Sequence, residues 1–90
     1  MYNLDFTNKA SEHIFRLKKS EPLSFKKLGK LLQELKEHPT TGTGHPKPLG
    51  HNREGQWSRK ITSKHRLIYA IEDDSVTVLV LSAYGHYDDK

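Results

Sequence analysis

The sequence predicts an α+β domain in which a helical hairpin packs on one face of a small, mostly antiparallel sheet. Three observations point there. The chain opens on Tyr2-Asn3-Leu4-Asp5-Phe6, an apolar–polar alternation that reads as a half-buried strand. Two stretches with apolar residues at helical spacing come next, separated by Ser20-Glu21-Pro22. The second half then holds three short runs with strand character. The resulting order is β-α-α-β-β-β, and two tightly joined amphipathic helices need a sheet to cover their apolar sides.

In the first helix, Thr7 or Asn8 is placed to accept a hydrogen bond from a free backbone N–H of the first turn. Ala10, Ile14 and Leu17 fall on one stripe, with Phe15 flanking it. Pro22 ends that helix and begins the next, because proline is tolerated in a first turn. Phe25, Leu28, Leu31, Leu32 and Leu35 form the second stripe, and Pro39 terminates it. Residues 39–55, PTTGTGHPKPLGHNREG, are a loop rich in proline and glycine. So long a stretch without periodicity is usually functional or disordered. Strands are expected at 57–62, 66–71 and 76–83, with Glu72-Asp73-Asp74-Ser75 as a turn. The last strand is apolar on both faces, as an interior strand should be.

Ninety residues suit one two-layered domain, 1–90. The chain has no cysteine, hence neither disulfides nor thiolate ligands, and a reducing cytoplasm suits it. Met1-Tyr2-Asn3-Leu4-Asp5 has no apolar leader pattern, and no segment approaches a membrane span. Charge is unevenly placed. Between His45 and Arg66 stand Lys47, Arg53, Arg59, Lys60, Lys64 and Arg66 against Glu54 alone, a net +5, whereas the other nine basic and ten acidic residues give −1. A polyanionic partner is the natural inference, with a solvated basic face as its bland competitor.

Helices cover one sheet face, so the other is expected to be a wet, concave platform. Alternation sends Arg59 and Ile61 one way and Lys60 and Thr62 the other, while Arg66, Ile68 and Ala70 share a face. Arg66 on an inner strand suggests a phosphate clamp, since a planar guanidinium grips two oxygens at once. The competing expectation pairs it with an acid such as Glu72. His86, beside Tyr87 at the end of the last strand, is a candidate acid–base group, and a solvated tail histidine is its competitor. Trp57 is expected as a core or platform aromatic. No histidine spacing suits a metal, and no phosphate-cradling glycine motif is present.

GTGHPKPLG, WSRKITSKHRLIY and the closing histidine–tyrosine, together with the helix LLQELKEHP, resemble the YoeB/Txe branch of the RelE/ParE superfamily of bacterial toxins. The resemblance runs over nearly the whole chain. It implies a RelE-like microbial ribonuclease fold and the toxin half of a type II toxin–antitoxin system. Such toxins enter the A site of the 70S ribosome and cut mRNA, without metal or other cofactor, and a YefM/Axe-like antitoxin silences them. Contact with operator DNA comes only through that antitoxin, and a homodimer is implied by the same likeness.

Residue by residue, Arg66 matches the arginine that stabilises the charged phosphate, and His86 the acid that protonates the leaving 5′ oxygen. Tyr87 matches the aromatic that positions the substrate. Lys60 and Arg59 match residues that hold the RNA backbone, and Lys47 and His65 are expected at the same RNA surface. The implied reaction is attack by the ribose 2′-OH on its own phosphate, giving a 2′,3′-cyclic phosphate and a free 5′-OH. One position departs: where the family has a glutamate as general base, this chain has Lys47 in His45-Pro46-Lys47-Pro48-Leu49, followed by Gly50 in place of a lysine. A lysine is a cation at neutral pH and no proton acceptor, and general-base help is worth ~10²–10⁴-fold. The change favours an alternative reading, a catalytically weakened member that binds antitoxin and operator DNA or occupies the ribosome without efficient cleavage, unless one of two routes rescues the reaction. Phosphate stabilisation and alignment of the 2′-OH carry the reaction, or His45 or His51 in the same loop takes the proton. The tail also departs, with Tyr84-Gly85 before the histidine and Asp88-Asp89-Lys90 after Tyr87.

Overall fold

The computed structural model describes residues 1–50, 53 and 55–81. The elements are β1 (Asn3–Phe6), α1 (Asn8–Ser20), α2 (Pro22–Glu37), β2 (Lys47–Pro48), β3 (Gln56–Lys60), β4 (Arg66–Glu72) and β5 (Ser75–Leu81). Thr7 caps α1: its Oγ1 accepts from the Ala10 amide at 2.9 Å and donates to the Leu79 carbonyl at 2.6 Å. One side chain thus starts the helix and ties it to β5. Pro22 occupies the first turn of α2, as its fixed φ and missing N–H favour.

The sheet order is β1-β5-β4-β3-β2, with β1 parallel to β5 and every other pair antiparallel. The architecture is α+β as expected, with two additions. β1 joins the sheet as a parallel edge, and the 39–55 loop contributes the two-residue strand β2, whose Lys47 and Pro48 pair with Ser58 and Trp57. β5 is interior, between β1 and β4.

Ala10 and Leu17 of α1 and Leu28, Leu31 and Leu35 of α2 meet Ile61, Leu67, Tyr69, Val76, Val78 and Leu81 from the sheet side, all at most 1% exposed. Burying each leucine or valine contributes about 1.5–3 kcal/mol. A register shift between Ile68 and Tyr69 sets Ile68 opposite Val80 and Tyr69 opposite Val78, leaving Leu79 as the extra residue. That bulge lets Val78 and Leu81, three apart, both enter the core; simple alternation would have turned one away. Phe15, expected beside the apolar stripe, is 60% exposed. His13 is buried instead, and its Nδ1 accepts from the Leu81 amide at 3.1 Å, fastening the end of β5 to α1.

Candidate functional site

The face of the sheet turned away from the helices carries Lys47 of β2, Lys60 of β3 and Arg66 of β4. Lys60 and Arg66 are direct cross-strand partners, and Lys47 pairs with Ser58 one step along β3. Paired residues share a face, so Lys47, Ser58, Lys60 and Arg66 stand on the same side. Directly opposed side chains have Cβ atoms about 5 Å apart, and like charges so placed repel. Such a pair of cations is a natural seat for an anion. Arg66 and Glu72 lie at opposite ends of β4, roughly 20 Å apart at the rise of a strand, so the expected alternative pairing is ruled out.

The middle of this face is not wet. Ser58 and Ile68, partners in register, are 0% and 1% exposed. Ser58 Oγ is buried with no hydrogen-bond partner among the described residues. Lys60 and Lys47 are exposed and Arg66 half-buried, so the cations rim a covered centre. A buried hydroxyl left unsatisfied costs about 1–3 kcal/mol.

Two expected RNA contacts belong elsewhere. Arg59 is fully buried on the helix side, as the alternation with Lys60 requires. Its Nη1 donates to Glu34 Oε1, and its Nη2 donates to the carbonyls of His38 and Thr41, each at 2.9 Å. A guanidinium so enclosed cannot reach an RNA backbone. His65 is 1% exposed, with Nε2 3.0 Å from Glu21 Oε2, and Lys64 Nζ lies 3.4 Å from the same oxygen. His65 therefore ties the β3–β4 connection to the helix joint. The hydrogen bond from His65 is the main reason the Glu21 carboxyl is held below its usual range. Both reassignments have one physical cause: a polar side chain on the helix-facing side needs partners there, and α2, its caps Glu21 and His38 and the loop residue Thr41 supply them.

The loop leading to Lys47 is built tightly. Glu34 accepts from the Thr43 amide at 2.9 Å and the Thr43 hydroxyl at 2.7 Å. Those two bonds, then the nearby Arg59 charge, hold its carboxyl below the usual range. The Tyr69 hydroxyl donates to the Pro39 carbonyl at 2.6 Å, and burial pushes its pKa up. Gly42 and Gly44 have φ of +113° and +86°; a Cβ there would stand 2.5 Å from Glu34 Oε1 and 2.6 Å from the Lys60 carbonyl. Neither position has room for a side chain. His45 follows, exposed and at φ 52°. Glu34 and Thr43 lie within the stretches LLQELKEHP and GTGHPKPLG, but neither stands on an apolar stripe and no local pattern marks either as a partner of the other.

His51, His86 and Tyr87 lie outside the described residues. Among the described residues, no group of three or more His, Cys, Asp or Glu is arranged to hold a metal ion, and no helix is long and apolar enough to cross a membrane.

Comparison with known proteins places this geometry in a family. Residues 6–87 match the model described as the YoeB-like toxin of bacterial type II toxin–antitoxin systems. The toxin YoeB of Escherichia coli K12 is 45% identical over 62 residues, covering 69% of this chain and 71% of that protein. The toxin YoeB of Streptomyces coelicolor is 33% identical over 84 residues, covering 93% and 98%. Among solved structures, a YoeB/ParE toxin from Agrobacterium tumefaciens superposes with a TM-score of 0.83 at 26% identity, over 88% of this chain and 94% of that one. A YoeB–YefM complex from Staphylococcus aureus matches with a TM-score of 0.79 at 27% identity, over 90% and 94%. A YoeB dimer from the same organism matches with a TM-score of 0.80 at 28% identity, over 88% and 92%. This chain belongs to the YoeB-like toxins of bacterial type II toxin–antitoxin systems.

Proposed function

We propose that this toxin is an endoribonuclease that cuts messenger RNA in the A site of the 70S ribosome. The observation that carries this reading is the cross-strand pair Lys60–Arg66, with Lys47 beside it, on the face away from the helices. The scissile phosphate sits against Arg66, whose planar fork meets the charge that grows on the non-bridging oxygens. Lys60 and Lys47 hold the flanking backbone. The ribose 2′-oxygen attacks phosphorus, the bond to the 5′ oxygen breaks, and the products are a 2′,3′-cyclic phosphate and a 5′-OH. His86 donates the proton to the leaving oxygen, and Tyr87 positions the base. With Lys47 in place of a carboxylate, charge stabilisation and alignment by the ribosome carry the step. The 2′-OH proton passes to His45 or His51, the imidazoles of that loop.

The partner is a YefM-like antitoxin whose acidic, largely unfolded segment folds over the basic face. Two toxin copies form the homodimer, as in the Staphylococcus aureus relative. One observation favours a second reading: Lys47 stands at the family's base, so a toxin that occupies the A site without efficient cutting follows if alignment alone is too weak. Primer extension on programmed ribosomes separates the two. Cleavage that is lost in His86→Gln with retained ribosome binding supports the enzyme. Ribosome binding with no cleavage by the wild-type protein supports the blocker.

A further inference from the structure

We infer that the trio Glu34, Thr43 and Arg59, of which only Arg59 is fully buried, is the positioning element of this site: it fixes the loop that sets Lys47 against the phosphate. The inference rests on the reading proposed above, and nothing in the trio touches substrate. Its members come from α2, the loop and β3, so one cluster joins the helical layer, the loop and the strand that carries Lys60. Glu34 uses both carboxylate oxygens, Oε1 for the Thr43 amide and Arg59 Nη1, Oε2 for the Thr43 hydroxyl. Arg59 Nη2 then collects the carbonyls of His38 and Thr41. His38, Thr41 and Thr43 are thereby held on one guanidinium and one carboxylate.

The step from Thr43 to the site is equally short. The Lys60 amide donates to the Gly44 carbonyl at 2.7 Å, and the Leu49 amide donates to the Gln56 carbonyl at 2.9 Å. Between those two bonds lies β2, with Lys47 opposite Ser58. Because Gly44 has no space for even a Cβ, the loop has one seating on β3. Loosening Thr43 frees the seat of Gly44 and slides Lys47 relative to Lys60 and Arg66. A misplacement of about 1 Å in a reacting arrangement costs up to ~10²-fold in rate.

The test is Thr43→Val, which keeps the shape and removes the hydroxyl, with Thr43→Ser as the restoring variant. Cleavage kinetics are measured on programmed ribosomes, and amide hydrogen exchange is measured on the isolated full-length toxin. The expected result is a kcat/KM lowered by ~10–10²-fold, faster exchange at the Lys60 amide with β4–β5 amides unaffected, and recovery of both in Thr43→Ser. Wild-type kcat/KM in Thr43→Val overturns the inference. So does opening of Lys60 no greater than that of the whole sheet. If the wild-type toxin cuts no messenger, the enzyme reading fails while the exchange measurement still decides whether Thr43 seats the loop.

Discussion

Arg59 and Lys60 are consecutive cations on β3 that meet opposite surroundings. Arg59 is enclosed beneath the sheet with a carboxylate and two carbonyls, while Lys60 stands exposed above it beside Arg66. Burying a charge is tolerated only with a nearly complete set of partners, so the lower cation is structural. The upper cations repel one another and are held there by the fold. The lesson is that a net basic segment divides by strand parity: one face spends its charge on architecture and the other carries it on the side away from the helices.

The sharpest test of that division is Arg66→Ala. It is expected to lower cleavage by ~10²–10³-fold, as loss of one transition-state donor does, while the thermal midpoint stays near that of the wild type. Full toxicity at equal expression would remove Arg66 from the chemistry. Arg59→Ala should behave in the opposite way. Breaking a buried pair costs about 3–5 kcal/mol, and because the Glu34 side chain is 32% exposed the lower end, about 3 kcal/mol, is expected. Urea denaturation measures it, and an unchanged midpoint would break the comparison.

A smaller effect is expected at the rim. Lys47→Glu removes one phosphate contact and adds repulsion, so RNA binding should weaken by ~10–10²-fold, in line with a hydrogen bond to a charged group, and cleavage should slow with it. A faster enzyme would instead mean that the missing carboxylate limits this toxin. The smallest effect concerns pH. Burial, then the Arg16 charge, lowers the His13 pKa below its ordinary 6.5, and the neutral ring accepts the Leu81 amide. The unfolded chain therefore takes up the proton first, so this contribution is complete above pH 6.5 and lost as pH falls below it. Stability measured from pH 7.5 to about 5 should decline in the wild type and decline less in His13→Gln. The Glu21 and Glu34 carboxyls, both held low, add their losses only further into acid, below their ordinary 4.5.

Much of this was legible in the chain because it is local. A cap at Thr7 or Asn8, Pro22 as helix start, the two apolar stripes and the opposed directions of Arg59 and Lys60 all follow from neighbours within a few residues. The cationic face was readable in part: Lys47, Lys60 and Arg66 were singled out and do share one side. Arg59 and His65 were assigned to the same surface on charge and motif alone, and both lie in the interior. No local pattern announces a partner such as Glu34, 25 residues away from Arg59.

By itself, the sequence determined the order of elements, the period of each, the placement of the positive charge and, through its motifs, membership of the toxin family. The tertiary structure decided which side of each strand the helices would cover, and with it whether a cation becomes a brace or a contact. It also made β1 a parallel edge on β5, placed the bulge at Leu79 and seated the 39–55 loop as β2 against β3. The reason is the range of the forces involved. Periodicity and capping act between residues close in the chain, whereas burial and the pairing of buried charge are settled only when distant segments close on one another.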